Sequence, residues 1–218
     1  MNLWTTALDL LFPPKCPFCQ SVLDDPRAPL CPECQTLLPW LDEKDAFRKV
    51  EHTEGCWSAL EYRDAVRECI HRFKFTPVCA YGTPLGLLTA QCAQNQGGIE
   101  ADCVTWVPLS PKRRRERGFD QAQLMADEVG KQLGLPVERL LIKKRDTQRQ
   151  SRLTEHSRRK ANVLGAYEVS TDCALLGKRI LLVDDVVTSG ATLSSCALAM
   201  KEAGAAQVWC VTLAQAGK

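Results

Sequence analysis

The stretch RILLVDDVVTSGATL, residues 179–193, determines the fold that the sequence predicts. Residues 180–183 form a short apolar run, which is typical of a buried strand. A helical pattern follows over residues 191–203 and stops at Gly204, and residues 207–213 form a further strand. Strands that alternate with helices of about 10 to 15 residues predict an α/β fold with a wound, mostly parallel sheet.

The chain before this stretch shows the same alternation. Strands are predicted over residues 56–62, 103–107, 137–142 and 166–169. Helices are predicted after the first of these strands, over residues 83–94, and from about residue 120 to the stop at Gly134. The first helix places Val66, Cys69, Ile70 and Phe73 on one face, as expected of a helix that covers a sheet.

Length and composition limit the class of protein. The chain has 218 residues, of which 45% are hydrophobic and 25% are charged, values typical of a folded globular protein rather than a disordered or fibrous one. No apolar run reaches the about 20 residues that a membrane helix needs. The N-terminal residues lack the basic segment and the cleavage pattern of a signal peptide. We therefore expect a cytoplasmic protein without membrane insertion, which begins with a short amphipathic helix.

A cluster of four cysteines predicts a metal site near the N-terminus. Cys16, Cys19, Cys31 and Cys34 form two C-x-x-C pairs, a spacing that suits the four thiolates of a structural zinc ion. The alternatives are a redox C-x-x-C pair, which is normally single, and disulfides, which the cytosol disfavours. Residues 1–50 are thus predicted to form an N-terminal helix and a zinc-binding unit, with a polar linker over residues 39–49, and residues 51–218 to form the second domain.

The turn that follows the strand at residues 180–183 has the composition of an anion site. Asp184 and Asp185 are predicted at the carboxyl end of the strand, where ligands bind in open parallel sheets. Residues 188–192 lead into a helix whose first amides lack partners, which favours a phosphate. A ribose reconciles the carboxylates with the phosphate, because its hydroxyls donate to the carboxylates while its 5′-phosphate lies in the turn. The alternative is that the aspartates only cap the helix.

These residues resemble the 5-phosphoribosyl 1-pyrophosphate (PRPP) motif of type I phosphoribosyltransferases, in which two acidic residues precede T-[ST]-G-x-T. With the cysteine pairs ahead of it, the chain resembles the ComF family of competence-associated proteins. Further matches are VPLSPKRRRERGFDQAQLMA, residues 107–126, and the positions Thr147, Gln150, Arg158 and Asn162. The sequence departs from the family at Asp120, where Asn is usual, and at Ser110, where His is frequent.

The resemblance implies a type I phosphoribosyltransferase-like domain that binds PRPP, or a ribose-5-phosphate compound, together with Mg²⁺. The implied ligand contacts are Asp184, Asp185, Thr188, Ser189, Gly190, Ala191 and Thr192. Asp184 and Asp185 are the implied catalytic residues if the protein is an active glycosyltransferase, a question that the sequence leaves open. Residues 143–160 resemble the loop that closes over this site in the fold, or are a disordered surface loop.

Basic residues after the predicted strand 103–107 are candidates for a second contact. In the family the loop at this place cradles pyrophosphate, and here it carries Lys112, Arg113, Arg114, Arg115 and Arg117. The alternatives are a solvated basic loop and a nucleic-acid patch. Residues 111–160 hold 15 Lys and Arg against 7 Asp and Glu, a net charge of +8, whereas the remainder has a net charge of −6. Such a basic region attracts polyanions, and Trp106, Phe119 and Phe73 are candidate stacking surfaces for bases.

The sequence therefore predicts a ComF-type protein with a PRPP site that acts in DNA uptake and natural transformation through single-stranded DNA handling. Other competence-machinery proteins are candidate partners. Two alternatives stay open: a phosphoribosyltransferase of nucleotide salvage, and a zinc-ribbon nucleic-acid module with a vestigial sugar site.

Overall fold

A computed structural model of the chain describes residues 13–76, 79–96, 98–144, 165–171 and 173–217. The predicted N-terminal helix falls on residues outside these ranges, as do most of the predicted closing loop and the positions Thr147, Gln150, Arg158 and Asn162.

Helices and strands alternate through most of the described chain. The helices are α1 (Pro32–Leu37), α2 (Glu43–Ala46), α3 (Asp64–Phe75), α4 (Gly82–Asn95), α5 (Pro111–Arg117), α6 (Gln121–Leu133) and α7 (Ala191–Glu202). The strands are β1 (Phe47–Arg48), β2 (Gly55–Glu61), β3 (Cys103–Trp106), β4 (Leu141–Lys143), β5 (Tyr167–Val169), β6 (Arg179–Val187) and β7 (Gln207–Gln215). Within these ranges, no helix has the length and apolarity needed to cross a membrane.

A five-stranded sheet with the order β1-β2-β7-β6-β3 forms the centre of the molecule. β2, β7, β6 and β3 are parallel to their neighbours, and the edge strand β1 is antiparallel to β2. β4 and β5 form a separate antiparallel pair. The α/β class and the mostly parallel sheet are therefore confirmed.

Both faces of the sheet are covered, and β6 shows how one strand serves both. Leu181 and Val183 belong to the core cluster that α3, α4 and α6 complete, whereas Ile180 and Leu182 belong to the cluster that α7 completes. Each of these side chains is fully buried, which stabilises the fold by about 1.5 to 3 kcal/mol per side chain. A strand that is buried on both faces reads as a continuous apolar run, and this run is what made β6 recognisable.

The predicted strand over residues 137–142 is wrong in its extent. Val137 forms an isolated parallel bridge with Val104, and only Leu141–Lys143 forms a strand, which pairs with β5 instead of β3. Pro136 accepts a hydrogen bond from Val104 but has no N–H of its own to extend the pairing. The chain therefore leaves the edge of the main sheet after residue 138.

The predicted linker over residues 39–49 is also wrong, because this segment is part of the main sheet. Asp42 caps α2 by accepting a hydrogen bond from the amide of Asp45 (2.9 Å). β1 then pairs with β2, and the Phe47 ring packs on Trp57 with ring centroids 4.8 Å apart. The polar composition reflects an exposed helix at the sheet edge. The boundary between residues 50 and 51 stays a prediction.

Candidate functional site

The four clustered cysteines come together as the sequence predicted. Their sulfur atoms all lie within 4.8 Å of one another, and Cys19 and Cys31 are 3.5 Å apart. Four sulfurs bonded to one zinc ion at about 2.3 Å lie about 3.8 Å from one another, so the cluster fits tetrahedral zinc. Each of the twelve cysteines is a free thiol, so the disulfide alternative finds no support.

Local hydrogen bonds shape the two cysteine pairs. The first pair lies on a tight turn in which the amide of Gln20 donates to the carbonyl of Cys16 (2.9 Å). The second pair opens α1, where the Cys31 sulfur accepts a hydrogen bond from the amide of Cys34 (3.4 Å). Burial and the neighbouring sulfurs raise the pKa of Cys34, while a hydrogen bond with Ser21 lowers the pKa of Cys19 to about 6. Binding of a metal ion replaces the thiol protons, so all four cysteines become thiolates in the metal-bound site.

The acidic pair lies on β6, beyond the end of its neighbour β3. The last residue of β3, Trp106, pairs with Val183, so Asp184 and Asp185 extend past β3. The expectation that the pair ends its own strand is wrong, because β6 continues to Val187 alongside β7. Both aspartates thus lie where β6 still pairs with β7 on one edge. On the other edge β3 has ended, so this edge faces the segment that follows β3.

The two carboxylates have different surroundings. Successive strand residues face opposite sides of a sheet, so Asp185 continues the face of Val183 and Asp184 that of Leu182. Asp185 is 7% exposed and forms an ion pair with Lys74 of α3, with 2.8 Å between Oδ1 and Nζ. Burial, and secondly the Asp185 carboxylate, raise the pKa of Asp184 to about 8. One carboxylate thus has a fixed cation beside it, and the other holds a proton to unusually high pH.

The turn after β6 has the geometry of an anion site. Thr188 and Ser189 are exposed, Ala191 and Thr192 are half-buried, and α7 begins directly behind them. Gly190 has a left-handed φ of 77°, and a Cβ atom there would lie 3.2 Å from a methyl group of Val50. The helix begins without a side-chain cap, so the interpretation of the aspartates as caps is wrong.

Arg48 supports this turn, and sequence reasoning missed it. From the edge strand β1 its guanidinium donates to the carbonyls of Thr188 and Ala216, which places a cation beside the turn. Arg48 and Thr188 are 140 positions apart, and the polar pattern of residues 39–49 predicts a linker, so no local signal indicates this contact. Lys74 was missed because a lysine near the end of a helix is common and gives no sign of a distant partner.

The basic run after β3 is a helix rather than the predicted loop. Ser110 caps α5 by accepting a hydrogen bond from the amide of Arg113 (3.3 Å), Pro111 opens it, and Gly118 ends it with a left-handed φ of 80°. The loop between β3 and α5 is therefore short. Asp120 fixes it by accepting a hydrogen bond from the amide of Leu109 (2.9 Å), a role that Asn could also fill.

The basic side chains of α5 point to different places. Arg114 and Arg115 line a cavity of about 470 Å³ together with Arg139 and Lys143, and the lining of this cavity does not include the acidic pair. Arg117 instead lies over the ring of Phe75, and Lys112 and Arg113 are exposed and half-buried, respectively. Contacts of these five residues with pyrophosphate or nucleic acid stay predictions.

Two of the three predicted stacking surfaces are wrong. Phe73 is fully buried and Trp106 is 6% exposed, because both complete the core beside β6. Phe119 is half-buried against Phe73, with ring centroids 5.9 Å apart. The exposed aromatic residue in this region is Phe75, at 55%.

Comparisons with known proteins agree with this arrangement. Residues 120–218 match the phosphoribosyl transferase domain family, and residues 7–45 match the double zinc ribbon domain family. The DNA utilization protein YhgH of Salmonella typhimurium is 28% identical over 203 residues, 90% of this chain and 82% of that protein. The competence protein ComFC of Bacillus subtilis is 28% identical over 153 residues, 68% of this chain and 59% of that protein.

A solved structure of a glutamine PRPP amidotransferase from B. subtilis, complexed with ADP and GMP, is also similar. It is 28% identical to this chain with a TM-score of 0.42, and the match covers 61% of this chain and 26% of that enzyme. The zinc-ribbon match and the sulfur geometry together support structural zinc. The chain is a homologue of the competence and DNA utilization proteins, with the phosphoribosyl transferase domain and the N-terminal double zinc ribbon that its resemblance to the ComF family implied.

Proposed function

We propose that this protein binds PRPP or a related ribose 5-phosphate with Mg²⁺ and acts in DNA uptake by handling single-stranded DNA. One observation carries the sugar-phosphate part: two carboxylates on β6 precede a turn with exposed hydroxyls that opens α7 without a side-chain cap. The names of the competence and DNA utilization homologues support the DNA part.

The phosphate end of the site is proposed at residues 188–192. A helix of 12 residues presents the positive end of its dipole to an anion at this place, and its first amide, that of Ala191, donates to the Ser189 hydroxyl oxygen (3.4 Å). Thr188, Ser189 and Thr192 add hydroxyl donors, and Gly190 keeps the turn free of a side chain. Arg48 adds a nearby cation through its contact with the carbonyl of Thr188. These groups suit a phosphate monoester better than a neutral ligand.

The sugar end is proposed at Asp184 and Asp185, whose oxygens accept hydrogen bonds from ribose hydroxyls. Carboxylate and hydroxyl oxygens are also the ligands that Mg²⁺ prefers, so the residues present fit the metal. Mg²⁺ would neutralise charge on the pyrophosphate group. If the protein transfers the phosphoribosyl group, the bond from C1 to pyrophosphate breaks as an acceptor attacks, and the negative charge that the acidic pair carries stabilises the positive charge that develops on the sugar.

The single-stranded DNA part is proposed for the surface around α5. This helix has no buried residue and carries five of the cations in the basic middle of the chain. Its arginines fork to phosphate oxygens, and the cavity shared by Arg114, Arg115, Arg139 and Lys143 is suited to a phosphate group. The lining of this cavity includes neither the acidic pair nor the turn after β6, and a second cationic region of this kind favours this function over that of a nucleotide-salvage enzyme.

Calorimetric titration with PRPP and Mg²⁺ tests the sugar-phosphate site. Asp185→Asn keeps the shape of the side chain and removes a charged acceptor, so we expect affinity to fall about 10- to 100-fold. Asp102→Asn is the matched control, because Asp102 pairs with Arg179 at the opposite end of β6. Wild-type binding no tighter than that of Asp185→Asn would require withdrawal of the PRPP proposal.

A further inference from the structure

Phe75 is an exposed aromatic residue at a position of α3 that lies outside the apolar face of the helix. It ends α3 and is 55% exposed, whereas Phe73 is fully buried. Residues two positions apart on a helix are about 160° apart around its axis, so burial of Phe73 directs Phe75 outward. Core packing therefore does not account for the ring at position 75.

Two side chains lie against the ring without covering it. The guanidinium carbon of Arg117 is 5.4 Å from the ring centroid, within cation–π range, and the His71 ring is 4.6 Å away at an angle of 41°. Arg117 is held in place, because it donates to Gln121 (2.7 Å), which in turn donates to the backbone carbonyl of Phe73 (3.3 Å). The pair of Phe75 and Arg117 is thus organised before any ligand binds.

The residues next to the ring belong to both candidate binding regions. Arg117 is the last residue of α5, and Lys74, which precedes Phe75, pairs with Asp185. An aromatic face beside a line of cations is the combination with which proteins bind single-stranded nucleic acids, since bases stack while phosphates are neutralised. Trp40 is also partly exposed, but its indole N–H donates to Gln35 (2.7 Å) on the zinc unit.

We infer that Phe75, with Arg117 beside it, is a platform on which one base of a single-stranded nucleic acid stacks. The cations of α5 then contact the phosphates that flank this base. The inference rests on the proposed single-stranded DNA function and adds the residue that holds a base. It takes the place of the predicted stacking surfaces at Phe73 and Trp106, which are buried.

Fluorescence anisotropy with two labelled strands of equal length, an oligothymidylate of about 12 nucleotides and an abasic strand, tests this inference. The wild type should bind the thymidine strand more tightly, and Phe75→Ala should weaken that binding about 5- to 140-fold while leaving the abasic strand unaffected. Phe75→Leu keeps an apolar side chain of similar size and should behave as the alanine variant does, whereas Phe75→Tyr should bind as the wild type does. Leu176→Ala, which removes an exposed apolar side chain elsewhere, is the matched control.

The outcomes separate this inference from the function on which it rests. Equal binding of both strands by the wild type, or an equal loss for both strands in Phe75→Ala and Phe75→Leu, overturns base stacking but leaves DNA binding intact. If the wild type binds neither strand, the DNA part of the proposed function and this inference both fail, whereas PRPP binding is judged by its own titration. Unchanged unfolding midpoints exclude misfolding as the cause of a loss.

Discussion

The ion pair between Lys74 and Asp185 makes a quantitative prediction about stability. The atoms Nζ and Oδ1 are 2.8 Å apart, and the two side chains are 26% and 10% exposed. Lys74→Met keeps the length and the apolar stem of the side chain but leaves a mostly buried carboxylate without this cation. Loss of one partner of a buried pair costs about 3 to 5 kcal/mol. Because Lys74 is a quarter exposed, we expect a decrease of about 2 to 3 kcal/mol in the free energy of unfolding.

A second variant isolates the pair from other effects of the substitution. Lys74→Met combined with Asp185→Asn removes both charges, so it should be more stable than the sum of the single effects by about 1 to 2 kcal/mol. Lys131→Met is the control, because Lys131 lies 3.4 Å from Glu128 but its side chain is 71% exposed. A pair of that kind contributes at most about 1 kcal/mol.

Urea unfolding of the zinc-loaded protein near neutral pH measures the free energies of unfolding of the wild type, Lys74→Met, Asp185→Asn, the double variant and Lys131→Met. If Lys74→Met destabilises no more than Lys131→Met does, or if the single effects simply add in the double variant, the ion pair does not stabilise the acidic strand. Either result would refute a stabilising role of Lys74 at Asp185.

Three further predictions concern metal, pH and polyanions. Freshly isolated, reduced protein should contain one zinc ion per chain by metal analysis, and Cys16→Ser should release it, because four thiolates complete one tetrahedral shell. Asp184 binds its proton more tightly in the folded state, with a pKa of about 8, than in the unfolded state, near 4, so its contribution to stability is full below about pH 4 and is lost as pH rises through about 8. Thermal scans without ligand should therefore show wild type losing more stability between about pH 6 and 9 than Asp184→Asn does; parallel curves would contradict this. Arg113, Arg114 and Arg115 changed together to Ala should flatten the log-log salt dependence of single-stranded DNA binding by about 0.7 for each lost contact, and an unchanged slope would place DNA elsewhere.

Local patterns explain why the class of fold and the metal cluster could be predicted. The apolar run of β6 reflects burial on both faces, and the cysteine spacing reflects the geometry of a single ion. The turn with Gly190 is equally local, since a left-handed residue before a helix is encoded where it occurs. Each of these features depends on residues within one short segment.

The features that were missed depend on contacts between distant segments, or on a helix without an apolar face. Lys74 and Asp185 are 111 positions apart, and Arg48 and Thr188 are 140 apart, so no local pattern announces either contact. The helix α5 buries none of its residues and shows no apolar period, although Ser110, Pro111 and Gly118 are ordinary start and stop signals that could have revealed it. Periodicity finds elements that cover a core, whereas α5 lies on the surface.

Four consecutive side chains at the end of α3 contact four different parts of the surroundings. Arg72 donates to two carbonyls of the first cysteine turn (2.8 and 2.7 Å), Phe73 enters the core, Lys74 holds Asp185 and Phe75 faces outward. One turn of α3 therefore connects the cysteine cluster to the acidic pair on β6, through Arg72 on one side and Lys74 on the other. If the proposed sugar-phosphate site is coupled to the zinc site through this turn, each ligand must raise the affinity of the other by the same factor. Equilibrium competition with a chelator, with and without the proposed sugar phosphate, would then measure the coupling as a change in zinc affinity.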